Sequence, residues 1–321
     1  MLVAKISNLV GITEGISGLD LYYKFGSSTM FFLLVSQIVL FLPAILYVIR
    51  NFEYFKTNLR IRKLKIKTYL LVIVFGMFFI PIISFVNSIS MLFTENAMAE
   101  SITGMLQETS LVASLIVIAG VPCFLEEIAY RGIFYNEYSR INPVKAIILS
   151  SLLFGFLHMN FNQFMYAVVG GVVFALVVEA TGSITASMIM HFMINGSSVF
   201  VAYLSTKLMS NEEIAQMATT DLNTVENAQE FTGSLAFLNG LSAMQQTVVL
   251  LGVFAVFCTV IEIVLFIQIA LSEGRLDYVK SLFDKNKNDE NKGVKFITPA
   301  LIVAIVICFA IMLLSQFGVI S

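Results

Sequence analysis

The stretch LVASLIVIAGVPCFLEEIAYRG, Leu111 to Gly132, sets a long uncharged run directly against two glutamates and an arginine. A helix needs roughly 20 predominantly apolar residues to cross a bilayer, and Leu111–Leu125 supplies most of one span. A charged side chain at membrane depth costs at least about 2.5–3.5 kcal/mol on insertion scales. Glu126, Glu127 and Arg131 therefore require a structural or a chemical reason for their place.

Apolar runs of this kind recur along the chain, which is 58% hydrophobic and only 12% charged, against roughly 25% charge in soluble domains. The pattern predicts an all-α polytopic membrane protein of about eight transmembrane helices around an intramembrane polar cavity. The expected spans are residues 29–49, 68–93, 109–125, 145–159, 163–180, 184–204, 246–270 and 298–317. They divide the chain into an N-terminal segment with two helices (1–108), a polar-residue-bearing core (109–204), an acidic extracytoplasmic loop (205–245) and two C-terminal helices (246–321). Residues 1–28 scatter Lys5, Glu14, Asp20 and Lys24, so no tripartite signal peptide is expected there and the first span should direct insertion. With a net charge of −2 and no basic stripe, nucleic acid is not an expected partner; the lipid bilayer is.

Orientation follows from the loops. Arg50 to Lys67 holds seven basic residues against Glu53, which places that loop inside by the positive-inside rule. Residues 94–108 hold three glutamates and no base, and residues 205–245 hold five acids against Lys207 alone; both fall outside. Residues 271–297 hold six bases and return inside, their DKNKNDENKG stretch reading as a solvated charge run. Cys123, Cys258 and Cys308 are far apart in apolar segments, as small buried hydrophobes would be.

Both histidines of the chain, His158 and His191, lie in expected spans. Asn195 follows His191 by four residues and so shares its helix face. Glu127 and Arg131 are likewise i, i+4 and can neutralise each other, fixing the helix orientation. Glu126 is one residue round, about 100° away, and lacks that partner. An unpartnered carboxylate in a low-dielectric site can accept a proton from water near neutrality. Glu126, the two histidines and Asn195 together form a set that can activate a water and stabilise an oxyanion. Either histidine alone reads equally well as a packing residue bonded to a neighbouring backbone. Glu262, inside the seventh span, reads as a protonated or cavity-facing group. Glu179, at a span end, reads as interfacial, and Gly170, Gly171, Ala175, Ala186 and Ser187 suit close helix packing.

Three motifs in order carry a resemblance: EExxxR as Glu126–Arg131, FxxxH as Phe154–His158, and HxxxN as His191–Asn195. The sequence resembles the CPBP family (CAAX-processing and bacteriocin-processing, also Abi) of intramembrane endopeptidases, over roughly Val112 to Leu204. The resemblance implies a protease in which Glu126 deprotonates the attacking water and His158 helps to position it. His191 and Asn195 would donate to the oxyanion. Glu127 and Arg131 would support the site, with Phe154 as the aromatic of its motif. Such enzymes are often described as metalloproteases, and Glu126, His158 and His191 make a possible three-ligand zinc set with water in the fourth position. Against zinc, the HExxH spacing is absent and Glu126 does not easily serve as both ligand and base, so a metal-independent glutamate mechanism is favoured. The resemblance also implies a peptide or membrane-protein substrate, with bacteriocin immunity or peptide processing among the roles. Abundant Lys, Asn and Ile point to an AT-rich bacterial genome and hence a bacterial cell membrane. Two other readings use the same residues: a non-catalytic regulator of a sensor or secretion component, and a proton-coupled transporter with Glu126, the histidines and Glu262 as relay.

Straight helices pose a problem of depth. His158 lies about 20 Å from the inner end of its expected span, whereas Glu126 lies at the inner end of its own. Either the helix bends at Pro122 and continues within the protein, or the His158 helix begins before the membrane does.

Overall fold

A computed structural model describes residues 29–94, 105–106, 109–208, 241–284 and 296–317. The N-terminal segment, most of loop 94–108, most of the acidic loop 205–245 and nearly all of the DKNKNDENKG run lie outside these residues. Every regular element among the described residues is helical. In chain order they are α1 (Thr29–Arg50), α2 (Phe52–Asn58), α3 (Ile66–Ser90), the composite helix α4 (Leu111–Ser139), α5 (Pro143–Leu157), α6 (Phe161–Thr181), α7 (Ile184–Leu208), α8 (Ala243–Ser272), α9 (Leu276–Ser281) and α10 (Pro299–Gln316).

Seven of these helices are long and apolar enough to cross a membrane, and the chain is a multi-pass integral membrane protein. The eighth apolar helix, α5, has 15 residues, about 22 Å at 1.5 Å per residue, and falls short of a full span. Local signals set several of the helix starts. Asn142 accepts from the Lys145 backbone N–H ahead of Pro143 to open α5, and Asn160 accepts from Asn162 and Gln163 to open α6. Ser242 and Gln245 form a capping box at α8, and Thr298 caps α10 ahead of Pro299.

The hydrogen bonds sort the turns onto two ends. At the basic end, the Ile184 N–H donates to the Arg60 carbonyl at 3.1 Å, and the Arg62 guanidinium donates to the Thr181 carbonyl and to Glu273. Arg275 reaches Glu179 there, and Arg140 donates to Asn58. At the opposite end, Ser90 of α3 donates to the Phe161 carbonyl at the start of α6. The segments assigned to the inner side by charge thus gather at one end of the bundle. Helix α6 is the most enclosed span, with 56% of its apolar window buried, against 6% for α1 and for α10. The outer pair presents Val39, Leu40, Val306 and Ile307 outward, as lipid contact requires.

Helix α4 resolves the depth problem. It does not end at Leu125 but runs to Ser139, changing to π geometry at Leu115–Gly120 and again at Ile128–Tyr135. Pro122 lies just after the first π segment, at the start of an α segment, where its missing N–H is absorbed without a break. Hydropathy loses the helix at the three charges, but two of them, Glu127 and Arg131, pair inside the protein, and the helix continues with Ala129–Ile133 buried. Glu126 is then about 20 Å from the inner end of α4, and His158, capping α5, is about 22 Å from the start of its helix. The two reach one level.

Close approach fixes α5 against α6. A Cβ built on Gly171 would lie 2.9 Å from the Ser151 Cα, a backbone atom that cannot swing aside. At the far end of α6, Gly182 adopts φ +70° as the left-handed cap, with the Arg62 guanidinium 3.1 Å from where a Cβ would sit. Replacing Gly171→Val is expected to destabilise the protein by about 1–3 kcal/mol through overpacking. Thermal unfolding of purified protein in detergent measures this, and an unchanged midpoint would contradict the close packing.

Candidate active site

The site grows from the middle of α4. Glu127 and Arg131 are both fully buried, and Arg131 Nη1 donates to Glu127 Oε1 at 2.8 Å. The Arg131 guanidinium lies over the Phe154 ring at 4.4 Å and the Phe174 ring at 5.1 Å. Two aromatic faces thus supply negative electrostatic potential where neither water nor lipid can. The expected i, i+4 pair is present, and it has a second function. His191 Nδ1 lies 3.0 Å from the same Glu127 oxygen, so Glu127 joins α4 to α7.

This contact fixes the histidine tautomer. A carboxylate only accepts, so Nδ1 carries the proton, and in the neutral ring Nε2 becomes an acceptor. Asn195 Nδ2 stands 3.2 Å from that Nε2 and donates to it, as the shared helix face led one to expect. The second N–H of the Asn195 amide is left to point elsewhere. Phe174 stacks on the imidazole at 5.1 Å and Phe154 meets it edge-on at 5.6 Å.

Glu126 is held less firmly than its neighbour, although Glu127 Oε2 is likewise buried without a hydrogen-bond partner. Glu126 Oε2 lies 3.6 Å from His191 Nε2, too long for a hydrogen bond, and that buried oxygen has no hydrogen-bond partner. Its side chain is 12% exposed where Glu127 is fully enclosed, so it is the carboxylate with room for a small polar molecule beside it.

His158 comes from the other side. It ends α5, its Nδ1 donates to the Phe154 carbonyl at 3.0 Å, and Nε2 is thereby an acceptor in the neutral ring. Met159 follows in the left-handed region at φ 49°, which turns the chain sharply into α6. Phe154 stands between the parts: its ring meets His158 edge-on at 5.3 Å, touches His191 and covers Arg131.

The structure therefore gathers Glu126, Glu127, Arg131, Phe154, His191 and Asn195 into one cluster, with His158 against Phe154. Two neighbours were not legible as site residues. Phe174 is one aromatic among many in α6, and only the fold shows it under both Arg131 and His191. Cys123 reads as a small hydrophobe and is indeed buried, but it lies within electrostatic reach of His191. Glu262 stays apart: it is buried, its Oε1 has no partner, and no hydrogen bond or ion pair among the described residues joins it to the cluster. Glu179 is not interfacial but fully buried, because the segment after α2 and the start of α9 fold over it; Arg60, Arg275 and Tyr135 all bond to it.

The donor set does not match a zinc site. Among the described residues no three His, Cys, Asp or Glu side chains are grouped to hold a metal ion. His191 has its two nitrogens turned to Glu127 and Asn195, and Glu126 is its nearest acid on the Nε2 side.

Residues 108–197 match the family model described as type II CAAX prenyl endopeptidase Rce1-like. The match covers α4 through the first half of α7, and every residue of the cluster falls within it. Neither the curated proteins nor the solved structures contain a match to this chain.

Removing Arg131 leaves the Glu127 carboxylate buried without its strongest partner. Arg131→Met is expected to cost about 3–5 kcal/mol. The double variant Glu127→Gln/Arg131→Met should lose less than Arg131→Met alone, because no charge is then left unpaired. A double-mutant cycle of thermal midpoints decides it, and simple additivity would refute the coupling.

Proposed function

We propose, from the match of residues 108–197 to the Rce1-like type II CAAX prenyl endopeptidase model, that this chain is an intramembrane endopeptidase in which Glu126 activates the hydrolytic water. The observation that carries the reading is the unequal pair of adjacent glutamates. Each keeps a buried Oε2 without a hydrogen-bond partner, but Glu127 commits its Oε1 to both Arg131 and His191, whereas no hydrogen bond among the described residues holds Glu126 beside the same imidazole.

The water sits between the Glu126 carboxylate and the accepting Nε2 of His158, both acceptors for its protons. Glu126 takes one proton as the water oxygen bonds to the scissile carbonyl carbon. The carbonyl oxygen gains the charge, and the uncommitted N–H of Asn195 donates to it. His191, oriented by Glu127, holds the Asn195 amide in place through Nε2. In the neutral ring Nε2 accepts from Asn195, so in this reading Asn195 rather than His191 donates to the oxyanion. When the intermediate collapses, the C–N bond breaks and the proton on Glu126 passes to the leaving nitrogen, giving a carboxylate and an amine. Glu127, Arg131 and Phe154 position these groups. The proposed reaction runs without a resident metal.

The substrate is a peptide or membrane protein whose apolar part lies in the bilayer. A recess of about 480 Å³ supports this; it is lined by Leu34 and Ile38 of α1, Leu115, Ile116 and Phe124 of α4 and Phe192 of α7. Ile38, Ile116, Phe124 and Phe192 are exposed where lipid would be, and Leu125, also on its wall, is next to Glu126. Peptide processing or self-immunity in a bacterial membrane is the physiological setting this reading favours.

Purified protein reconstituted with a peptide library and read by mass spectrometry tests the mechanism. Glu126→Gln is expected to lower the cleavage rate by about 10²–10⁴, the usual contribution of a general base. Asn195→Ala is expected to lower it by about 10²–10³. A chelator should leave cleavage unchanged. Full activity in Glu126→Gln would remove the proposed base, and loss on chelation would overturn the metal-free reaction.

A further inference from the structure

The basic end of the bundle carries a second polar cavity that the proteolytic reading does not use. It is about 430 Å³ in volume and is lined by Thr57, Arg60, Asn136, Ser139, Arg140 and Tyr278, among others, with no carboxylate among the described residues of its wall. Asn136 is 5% exposed, and its Nδ2 is a buried donor with no acceptor. Leaving such a donor unmet costs about 1–3 kcal/mol, which a ligand oxygen would recover.

The charges around it are arranged for an anion. Arg60 reaches the cavity from a left-handed backbone, φ 55°, and commits Nη1 to Glu179 beneath the floor. Burial opposes its charge, and the Glu179 carboxylate more than offsets that, so the guanidinium stays above its ordinary value. Arg140 is held over the Tyr54 ring at 5.1 Å, with Nη2 donating to Asn58 at 3.1 Å. Among the described residues, Glu179 accepts from Arg60, Arg275 and Tyr135, and Glu137 accepts from Tyr54. Burial and then Glu137 push the Tyr54 phenol up to about 12, so it remains the donor in that bond.

We propose that this cavity binds a phosphate group, its oxygens taken by the Asn136 amide and by the Arg60 and Arg140 guanidinium groups. Guanidinium pairs match phosphate geometry closely. The cavity lies at the end of the bundle assigned to the inner side, where an anionic lipid headgroup would meet it, and a soluble phosphate offers the same chemistry. Its walls belong to the end of α2 and the segment after it, the end of α4, the start of α5, and α9. A bound phosphate would therefore tie together elements that meet ten residues along α4 from Glu126.

The test uses the purified full chain in phosphatidylcholine nanodiscs and follows the thermal midpoint. One arm raises the phosphatidylglycerol content and the other adds inorganic phosphate. A rise in midpoint with phosphatidylglycerol alone supports the site with a lipid headgroup as its source. A rise with inorganic phosphate supports it with a soluble source. Asn136→Asp keeps the side-chain shape but replaces the donor with a charge, and Arg140→Gln removes one guanidinium. Each is expected to weaken the response about tenfold in concentration, the loss of one charge-assisted hydrogen bond. If Asn136→Asp fails to insert, Arg140→Gln decides. No response to either source in the unaltered chain, or an unweakened response in Arg140→Gln, overturns the proposal.

Discussion

The ion pair between Glu127 and Arg131 is the constraint on which the rest of the core depends. Two charges taken out of water cost several kcal/mol each unless their partners and geometry compensate. Within an apolar bundle that compensation must come from other helices. Arg131 receives a carboxylate from its own helix and ring faces from α5 and α6; Glu127 receives the imidazole of α7. Four helices thus meet at one buried pair, and each is held there by an electrostatic contact that no lipid could replace.

The proposed chemistry follows from those contacts. Glu127 fills its Oε1 with structural bonds, and in doing so sets the tautomer of His191 and, through it, the direction of Asn195. Glu126, one residue round the helix, escapes these bonds. It sits at the same level as the His158 ring because α4 runs on for 13 residues past it. Two π segments flank the pair, and the wider turns bring residues out of strict α register where Pro122 and the charges lie. Phe154 packs both histidines and Arg131 around one ring, so small shifts of α5 would be felt by all of them.

The same logic repeats at the basic end on a looser scale. Glu179 is a second fully buried carboxylate, and it draws Arg60, Arg275 and Tyr135 onto itself from three separate parts of the chain. That convergence closes the bundle beneath α6 and α7. It also leaves Asn136, one residue after Tyr135, as the buried donor without an acceptor. Helix α4 therefore carries polar groups at two levels, one at mid-depth and one at its inner end.

Much of this was legible before any coordinates. Apolar run length set the helical membrane class, loop charge set which turns share an end, and the i, i+4 spacings identified Glu127–Arg131 and His191–Asn195 as pairs. These are local properties, and a helix displays them wherever it lies. The length of α4 was not legible, because hydropathy counts the charges at 126, 127 and 131 as the end of a span, whereas tertiary partners meet Glu127 and Arg131 and the helix runs on inside the protein. The burial of Glu179 was hidden for the same reason. The division of labour between two adjacent glutamates was decided only by the tertiary structure: sequence says that they face directions about 100° apart, and only the packing of α5, α6 and α7 says which direction holds an arginine and a histidine and which is left open.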